Sequence, residues 1–333
     1  MGVVTGSPRV SVLMGVYNGL PYVREAIESV LEQTYRDFEF LVVDDASTDE
    51  SAEVVSEYAE EDDRIRLLEN EKNRGLTWSL NRALDSAGGE FVARQDADDR
   101  SEPTRFERQV AYLDDHPEVA VVGTGARLVD AADETLDRRV VLADPSLTDL
   151  QRKNHLIHGS VMGRTRAFEA VDGYDEFFEY SQDYDLWLRL AAEHELRNIP
   201  EPLYVLREHG ESIYIDKAWE STLYSLFARR QSTEQFDLDT IETVREQGIA
   251  ELYEHLTVPE RADFHRTLAG IHVRYGQTTP GRDEAVRSLH YSKAQVGAYA
   301  LYALSLLGRR QLLAIRWALR RVMNARLDLR NRV

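Results

Sequence analysis

The sequence has no cysteine, which excludes disulfides and thiolate chemistry and leaves any bound metal to oxygen or imidazole ligands. Lysine is nearly missing as well. It occupies four positions (Lys72, Lys153, Lys217, Lys293), so arginine supplies almost every cation. No N-terminal stretch joins a basic start to a long apolar core and a small-residue cleavage site, so nothing points to secretion. The longest apolar run, Ala298 to Leu307, is too short to span a bilayer. These absences lead to the expectation of a cytoplasmic protein. Positive charge is scarce too: 59 acids against 40 bases give a net charge of −19, which argues against nucleic acid as a partner because a phosphate backbone needs a basic surface. An acidic, lysine-poor composition resembles that of proteins from halophilic microbes, and such an origin is expected here.

The chain does have enough apolar residues to bury a large core, at 43% hydrophobic content over 333 residues. Val10 to Val16 predicts a buried strand, ended by Tyr17-Asn18-Gly19 and followed by a helix with Val23, Ala26, Ile27, Val30 and Leu31 at helical spacing. Phe38 to Val43 predicts a second strand, closed by Asp44-Asp45-Ala46-Ser47-Thr48-Asp49, where Ser47 or Thr48 can cap a helix running to about Asp62. Arg64 to Leu68 predicts a third strand and Gly75 to Ala87 a helix. Gly88-Gly89 stops it, and Glu90 to Arg94 predicts a fourth strand running into Asp96-Ala97-Asp98-Asp99. Strands alternating with helices imply an α/β fold, a mainly parallel sheet with helices on both faces, and ligands at the carboxyl ends of the strands. Three polar clusters, at Tyr17-Asn18, Asp44-Asp45 and Asp96 to Asp99, fall at those ends.

Beyond a helix from Pro103 to Asp115 the pattern becomes mixed. It predicts a strand at Val119 to Gly123, a hairpin at Ala126 to Val141, a short helix at Leu147 to Asn154, a strand at His158 to Arg164, an amphipathic helix at Ser181 to Glu193 and a last strand at Leu203 to His209. From about Ser212 only helices are read, near 212–232, 238–254, 259–275, 281–293, 296–307 and 309–326, as stacked hairpins or as a plain bundle. A catalytic domain over 1–211 and an all-helical C-terminal region over 212–333 are therefore expected. Arg309 to Val333 holds eight arginines and one acid, Asp328, for a charge of +7. There Leu312, Leu313, Ile315, Leu319 and Val322 alternate with Arg309, Arg310, Arg316, Arg320 and Arg321. Such a basic amphipathic helix suits peripheral contact with the inner face of an anionic membrane, or docking on the acidic body.

Asp96 and Asp98 bring two carboxylates within reach of a hard divalent cation, Mg2+ or Mn2+. Asp-x-Asp alone leaves solvated loop carboxylates as the favoured reading in so acidic a chain. Its context comes from the stretches Val10-Ser-Val-Leu-Met-Gly-Val-Tyr-Asn-Gly19, Ser29-Val-Leu-Glu-Gln-Thr-Tyr35, Phe38-Glu-Phe-Leu-Val-Val-Asp-Asp-Ala-Ser-Thr-Asp49, Asn73-Arg-Gly75, Ala93-Arg-Gln-Asp-Ala-Asp-Asp99, Gly173-Tyr-Asp-Glu176 and Gln182-Asp-Tyr-Asp-Leu-Trp-Leu-Arg189. In these, through roughly residues 9 to 210, the chain resembles the inverting family 2 glycosyltransferases of the GT-A fold.

That resemblance implies transfer of a sugar from a nucleoside diphosphate sugar to a hydroxyl of a glycan, lipid-linked glycan or polyprenyl phosphate, with Mg2+ or Mn2+ bridging the diphosphate. It maps Val16, Tyr17, Asn18 and Asp45 to the nucleotide base, Arg74 to the diphosphate side, Asp96 to the ribose, Ala97 to the nucleotide-sugar site, and Asp98 to the metal. Asp183 maps to the general base, which takes the acceptor proton in a single displacement. Helix capping is its structural alternative. His158, Gln182 and Trp187 are candidates for acceptor contact, with a structural histidine and a core tryptophan as the ordinary readings of His158 and Trp187. Gln182 stands where the family usually has Glu, and Gly15 where it often has a hydroxyl residue, so an accessory contact at each is in question. Two other readings remain: a nucleotidyltransferase, which would want a glycine-rich basic loop that Tyr17-Asn18-Gly19-Leu20-Pro21 is not, and a sugar-binding or scaffold protein without catalysis.

Overall fold

The computed structural model describes residues 7–208, 217–233 and 235–332. They divide into two compact units, Met1–His209 with Leu327–Val333, and Gly210–Arg326. The end of the strand expected at His209 and the start of the helix expected near 212 lie outside the described residues.

The first unit is built on one sheet of strands β1 (Val10–Val16), β2 (Phe38–Asp44), β3 (Ile65–Glu69), β4 (Phe91–Arg94), β5 (Arg100–Ser101), β6 (Val119–Val129), β7 (Thr135–Arg139), β8 (Met162–Arg164) and β9 (Glu195–Arg207). Their order is β3-β2-β1-β4-β8-β6-β9-β5, with β7 paired to β6. β3, β2, β1 and β4 run parallel, β8 is antiparallel to β4 and β6, and β6 is parallel to β9. The sheet is thus a parallel quartet extended by a mixed half.

Period-two alternation decides which side each helix covers. Val10, Val12, Met14 and Val16 share a core with Phe40 and Val42, with Val23, Ile27 and Val30 of α1 (Val23–Leu31), Val54 and Val55 of α2 (Ser51–Glu61), and Phe106, Val110 and Leu113 of α4 (Arg105–Asp115). The opposite side of β1 meets α3 (Leu76–Asp85), which approaches so closely that a Cβ on Gly15 would lie 2.9 Å from Leu76 Cδ1. Three further helices complete the unit: α5 (Leu147–Arg152), α6 (Thr165–Ala170) and α7 (Gln182–Glu193).

Three features differ from the sequence pattern. His158 to Ser160 is a short 3-10 turn, and only Met162–Arg164 is strand. β6 and β9 run much farther than their apolar cores, because their pairing carries Arg127 and, through register shifts, the segment around Pro200 and Pro202. α6 was not read at all; it is six residues long, too short for periodicity to mark.

The second unit contains α8 (Ala218–Gln231), α9 (Leu238–Gln247), a 3-10 turn at Ile249–Tyr253, α10 (Val258–Arg274), α11 (Thr278–Tyr291), α12 (Val296–Ser305) and α13 (Arg309–Arg330), the last continuing into the first unit's terminal segment. Thr257 and Glu260 form a capping box at the start of α10. Among the described residues no helix is long and apolar enough to cross a membrane.

Residues 327–332 dock within the first unit. Asp328 pairs with Arg138, Arg330 with Asp149, and the Asn331 side chain donates to the Val141 carbonyl at 2.8 Å while accepting from the Ala143 amide at 3.0 Å. Of the tail's apolar positions, Leu312 is buried at 3% exposure, whereas Leu319 and Val322 are 57% and 52% exposed. The side chains of Arg309, Arg310, Leu313 and Arg316 lie outside the described residues.

Arg105 holds the centre of the sheet edge together. Fully buried, its guanidinium donates to the Arg94 carbonyl and Ser101 Oγ, both at 2.6 Å, and to Gln109 Oε1 at 3.0 Å. Desolvation lowers its pKa to about 10, which leaves it charged at neutral pH. Arg105→Leu strands those buried acceptors and is expected to cost about 3 kcal/mol in urea unfolding. An unchanged unfolding midpoint would count against this role.

Candidate active site

Register brings Val16 opposite Asp44, so the chain leaves β1 and β2 at one level. The two exits are then stitched together. The Asp45 amide donates to the Val16 carbonyl at 2.8 Å, and the Asn18 amide to Ser47 Oγ at 3.1 Å. Asn18 takes a left-handed φ of 51°, a conformation its short polar side chain tolerates. Its Oδ1 accepts from the Thr48 amide at 2.8 Å. Tyr17, in the same turn, is 50% exposed and presents its ring to solvent.

Asp45 lies under this loop at 3% exposure. Its Oδ1 accepts from Asn70 Nδ2 at 2.6 Å and from the Arg74 amide at 2.9 Å, and its Oδ2 from the Gly75 amide at 2.8 Å. Those bonds hold the entry to α3, where Gly75 has a φ of 87°. They use three of about four acceptor positions of a carboxylate, so one remains for a ligand N–H. The Arg74 side chain is exposed, with its guanidinium 4.3 Å from the Trp78 ring centre.

β4 ends at Arg94, whose side chain is 3% exposed and forms an ion pair with Asp96 at 2.6 Å. The Asp96 amide donates to the Tyr204 hydroxyl at 3.1 Å, and the Gln95 amide to the Leu13 carbonyl at 3.0 Å, tying the aspartate loop to β9 and β1. Gly159 lies against this junction. A Cβ there would meet the Tyr204 Oη and the Asp96 Oδ2 at less than contact distance, which is why the 3-10 turn has glycine at its centre. Asp98 is half-buried in the loop, and Ala97 faces Gly19.

Asp99 is buried beneath them and accepts from the Arg207 amide at 2.8 Å. Desolvation, together with the charges of Asp98 and Asp96, drives its pKa well above the usual carboxylate range. Asp99 therefore supports the loop rather than facing a ligand. No cluster of three or more His, Asp or Glu able to enclose a metal occurs among the described residues. Two hard carboxylates without a closed cage fit a cation that keeps waters and shares phosphate oxygens with a ligand.

On the other side of Gly159, His158 meets the Tyr174 hydroxyl at 2.8 Å. Burial first, and the Arg94 charge second, hold the His158 pKa at about 4 against the carboxylates of Asp183 and Asp96, so the ring is neutral at physiological pH. Asp183 sits in the first turn of α7, entered through Ser181 at a φ of 59°. Its Oδ2 accepts from Asn154 Nδ2 at 2.8 Å, while Asn154 Oδ1 accepts from the Leu156 amide and fixes which way the amide points. One carboxylate oxygen is held; no other hydrogen bond to this carboxylate occurs among the described residues. Asp185, two positions on, instead pairs with Arg189 at 2.8 Å, and Arg189 grips the carbonyls of Val171 and Gly173 ahead of Tyr174.

Trp187 must be removed from the acceptor candidates. It is fully buried, edge-on to His158 and Phe168, so no sugar ring can stack on it. Gln182 is also nearly enclosed, at 9% exposure. Conversely, Arg94, Asn154, Tyr174 and Tyr204 belong to the centre and were not singled out from the sequence. An arginine ending an apolar strand two residues before Asp96 is the available sign for Arg94. Asn154 and Tyr204 gave none. The surface cleft bounded by Gly88, Gly89, Arg164 and Arg166 lies by the start of β4, at the other end of that strand from these carboxylates.

Comparison with known proteins adds the following. The sequence model of glycosyl transferase family 2 matches residues 11–171. EpsE of Bacillus subtilis, named as a glycosyltransferase, is 38% identical over 213 residues, covering 63% of this chain and 76% of EpsE. WbnJ of Escherichia coli, named as an O-antigen biosynthesis glycosyltransferase, is 33% identical over 211 residues, 61% of this chain and 81% of WbnJ. In fold, the chain is similar to the solved mannosyltransferase PcManGT from Pyrobaculum calidifontis in complex with GDP-Man and Mn2+. The TM-score is 0.56 at 20% identity, over 96% of this chain and 88% of the other.

The depressed His158 pKa gives a signed prediction. Above its ordinary value of 6.5 the ring is neutral folded or unfolded, so nothing is lost there; as pH falls from 6.5 toward 4 only the unfolded chain takes up the proton, and stability drops. His158→Gln keeps a hydrogen-bonding partner for Tyr174 and should lose about 3 kcal/mol less than the wild type between those limits. Parallel pH profiles in chemical unfolding would contradict it.

Proposed function

The chain belongs to glycosyl transferase family 2 and is a glycosyltransferase of the GT-A fold; from that premise we propose that it transfers a sugar, with inversion, from a nucleoside diphosphate sugar to an acceptor hydroxyl. The observation that carries this reading is that one buried cation, Arg94, is ion-paired with Asp96 and also acts on His158, which in turn feels Asp183, so the groups read as donor-side and acceptor-side are electrostatically linked. The binding of GDP-Man and Mn2+ by PcManGT supports a nucleotide-sugar donor and a divalent metal.

Tyr17 and the Val16–Asn18 backbone would receive the base, with the remaining acceptor position of Asp45 for a base N–H. Arg74, free of the sheet on its exposed loop, is suited to the diphosphate. Asp98 would hold Mg2+ or Mn2+, with Asp96 and Ala97 toward the ribose. The bound ion would offset the negative charge that develops on the leaving diphosphate.

Asp183 then acts as base. Its Oδ2 is held by Asn154, and the opposite oxygen takes the acceptor proton as the acceptor oxygen attacks the anomeric carbon and the bond to the diphosphate breaks. A neutral His158 beside it can donate or accept a hydrogen bond to the acceptor without adding charge. The acceptor is a glycan, a lipid-linked glycan or a polyprenyl phosphate. WbnJ's name supports a polysaccharide-building role.

Thermal-shift titration with nucleoside diphosphate sugars and Mn2+ tests the donor side. A donor that raises the wild-type melting temperature should not do so for Asp98→Ala, and equal shifts in both would refute the metal-bridged diphosphate. Asp183→Asn should keep that shift and lose transfer by about 10²- to 10⁴-fold; wild-type turnover in this variant would remove Asp183 as the base.

A further inference from the structure

Residues 293–326 carry one lysine, six arginines and no Asp or Glu, a charge of +7 within a chain of net −19. Inside that stretch, residues 294–308 have no charged side chain at all. They include α12, where Val296 is 79% exposed, Tyr299 51%, Tyr302 37% and, just past its end, Leu306 59%. The spacing of three, three and four residues puts all four on one side of a helix. Only Ala298 and Ser305 of α12 are buried, so the helix presents to solvent a face made of Val, Ala, Tyr and Leu. Along α13, Leu319, Val322 and Met323 are exposed as well, at 57%, 52% and 48%.

A soluble surface seldom leaves so continuous an apolar stripe uncovered. Its occupant is indicated by its chemistry. A second copy of the same basic segment would bring like charges together. An anionic lipid surface offers what the segment lacks: negative headgroups for the cations, hydrocarbon for Leu and Val, and an interfacial layer that accepts the ring and hydroxyl of tyrosine at once. The acidic remainder of the chain would be repelled by the same surface, which restricts contact to this segment.

We infer that α12 and α13 form a lipid-binding surface that holds the protein on an anionic membrane leaflet, with the α12 face entering the interface and the flanking cations meeting headgroups. This extends the lipid-linked acceptor reading and rests on it only for its purpose; lipid binding is measured without nucleotide or acceptor, so its failure leaves the transfer reading intact.

The test is co-sedimentation of the full chain with vesicles of phosphatidylcholine alone or with about one-third phosphatidylglycerol. Binding is expected only to the anionic vesicles, weakening as salt is raised. Tyr299→Ser, Tyr302→Ser and Leu306→Ser combined should cut partitioning about tenfold or more. Lys293→Glu with Arg326→Glu, which leaves the apolar face intact, should cut it as well. All five side chains are exposed or at the rim of exposure, and circular dichroism checks that each variant folds. Absence of binding by wild type, or equal binding by wild type and both variants, would overturn the inference. So would a concentration-dependent dimer in sedimentation equilibrium that the triple variant abolishes while vesicle binding stays unchanged.

Discussion

The ion pair of Arg94 with Asp96 is the interaction on which the centre depends. Asp96, Asp98 and Asp99 follow one another in a chain already rich in carboxylates, and such a run left to itself would repel and splay into solvent. A guanidinium that is 3% exposed and directly behind the first of them changes the balance, since a partner in low dielectric is screened far less than one at the surface. Arg207 secures the other end by donating its amide to the Asp99 carboxylate, and burial raises the Asp99 pKa so that the deepest member of the run resists ionisation. Asp96 and Asp98, both half-buried, are the members of the run that remain reachable. Burial first, and the same Arg94 charge second, hold His158 neutral, so one side chain acts on both flanks.

Geometry enforces this pairing as strongly as charge does. Gly159 lets the 3-10 turn approach Asp96 and the Tyr204 hydroxyl to a distance no side chain would permit. The turn carries His158 on one side and Ser160 on the other, and Ser160 is locked to β6 through the Thr124 amide. The flank carrying His158 is thereby fixed to the sheet, as the entry to α3 is by the bonds of Asp45. The proposed transfer would use this architecture: a rigid edge would offer carboxylates to a phosphate-bearing donor, and the start of α7 would offer a base.

Much of this edge was legible because buried parallel strands are short apolar runs that stop abruptly. β1, β2 and β4 end at Tyr17-Asn18, Asp44-Asp45 and Gln95-Asp96, and parallel pairing alone sends those residues to one side. The less legible parts depend on contacts distant in sequence. A strand was read at His158 because Val161 and Met162 continue an apolar pattern, whereas the close approach of Tyr204 turns the backbone there. Trp187 reads as core from its place on an amphipathic helix, and its burial against His158 and Phe168 agrees and excludes the sugar-platform alternative. Asn154, the partner of Asp183, lies just beyond α5, and only the tertiary fold brings the two together. The C-terminal segment combined both cases: its charge was plain in the sequence, but the return of Asp328, Arg330 and Asn331 to the first unit required the fold.

The central claim is a single displacement at the anomeric carbon, with Asp183 taking the acceptor proton. The anomeric proton coupling of the glycoside product, followed by NMR from the first turnovers, tests it most directly. Inversion relative to the nucleotide-sugar donor is predicted, a β-glycoside from an α-linked donor for gluco-configured sugars. A product that retains the donor's configuration would contradict it.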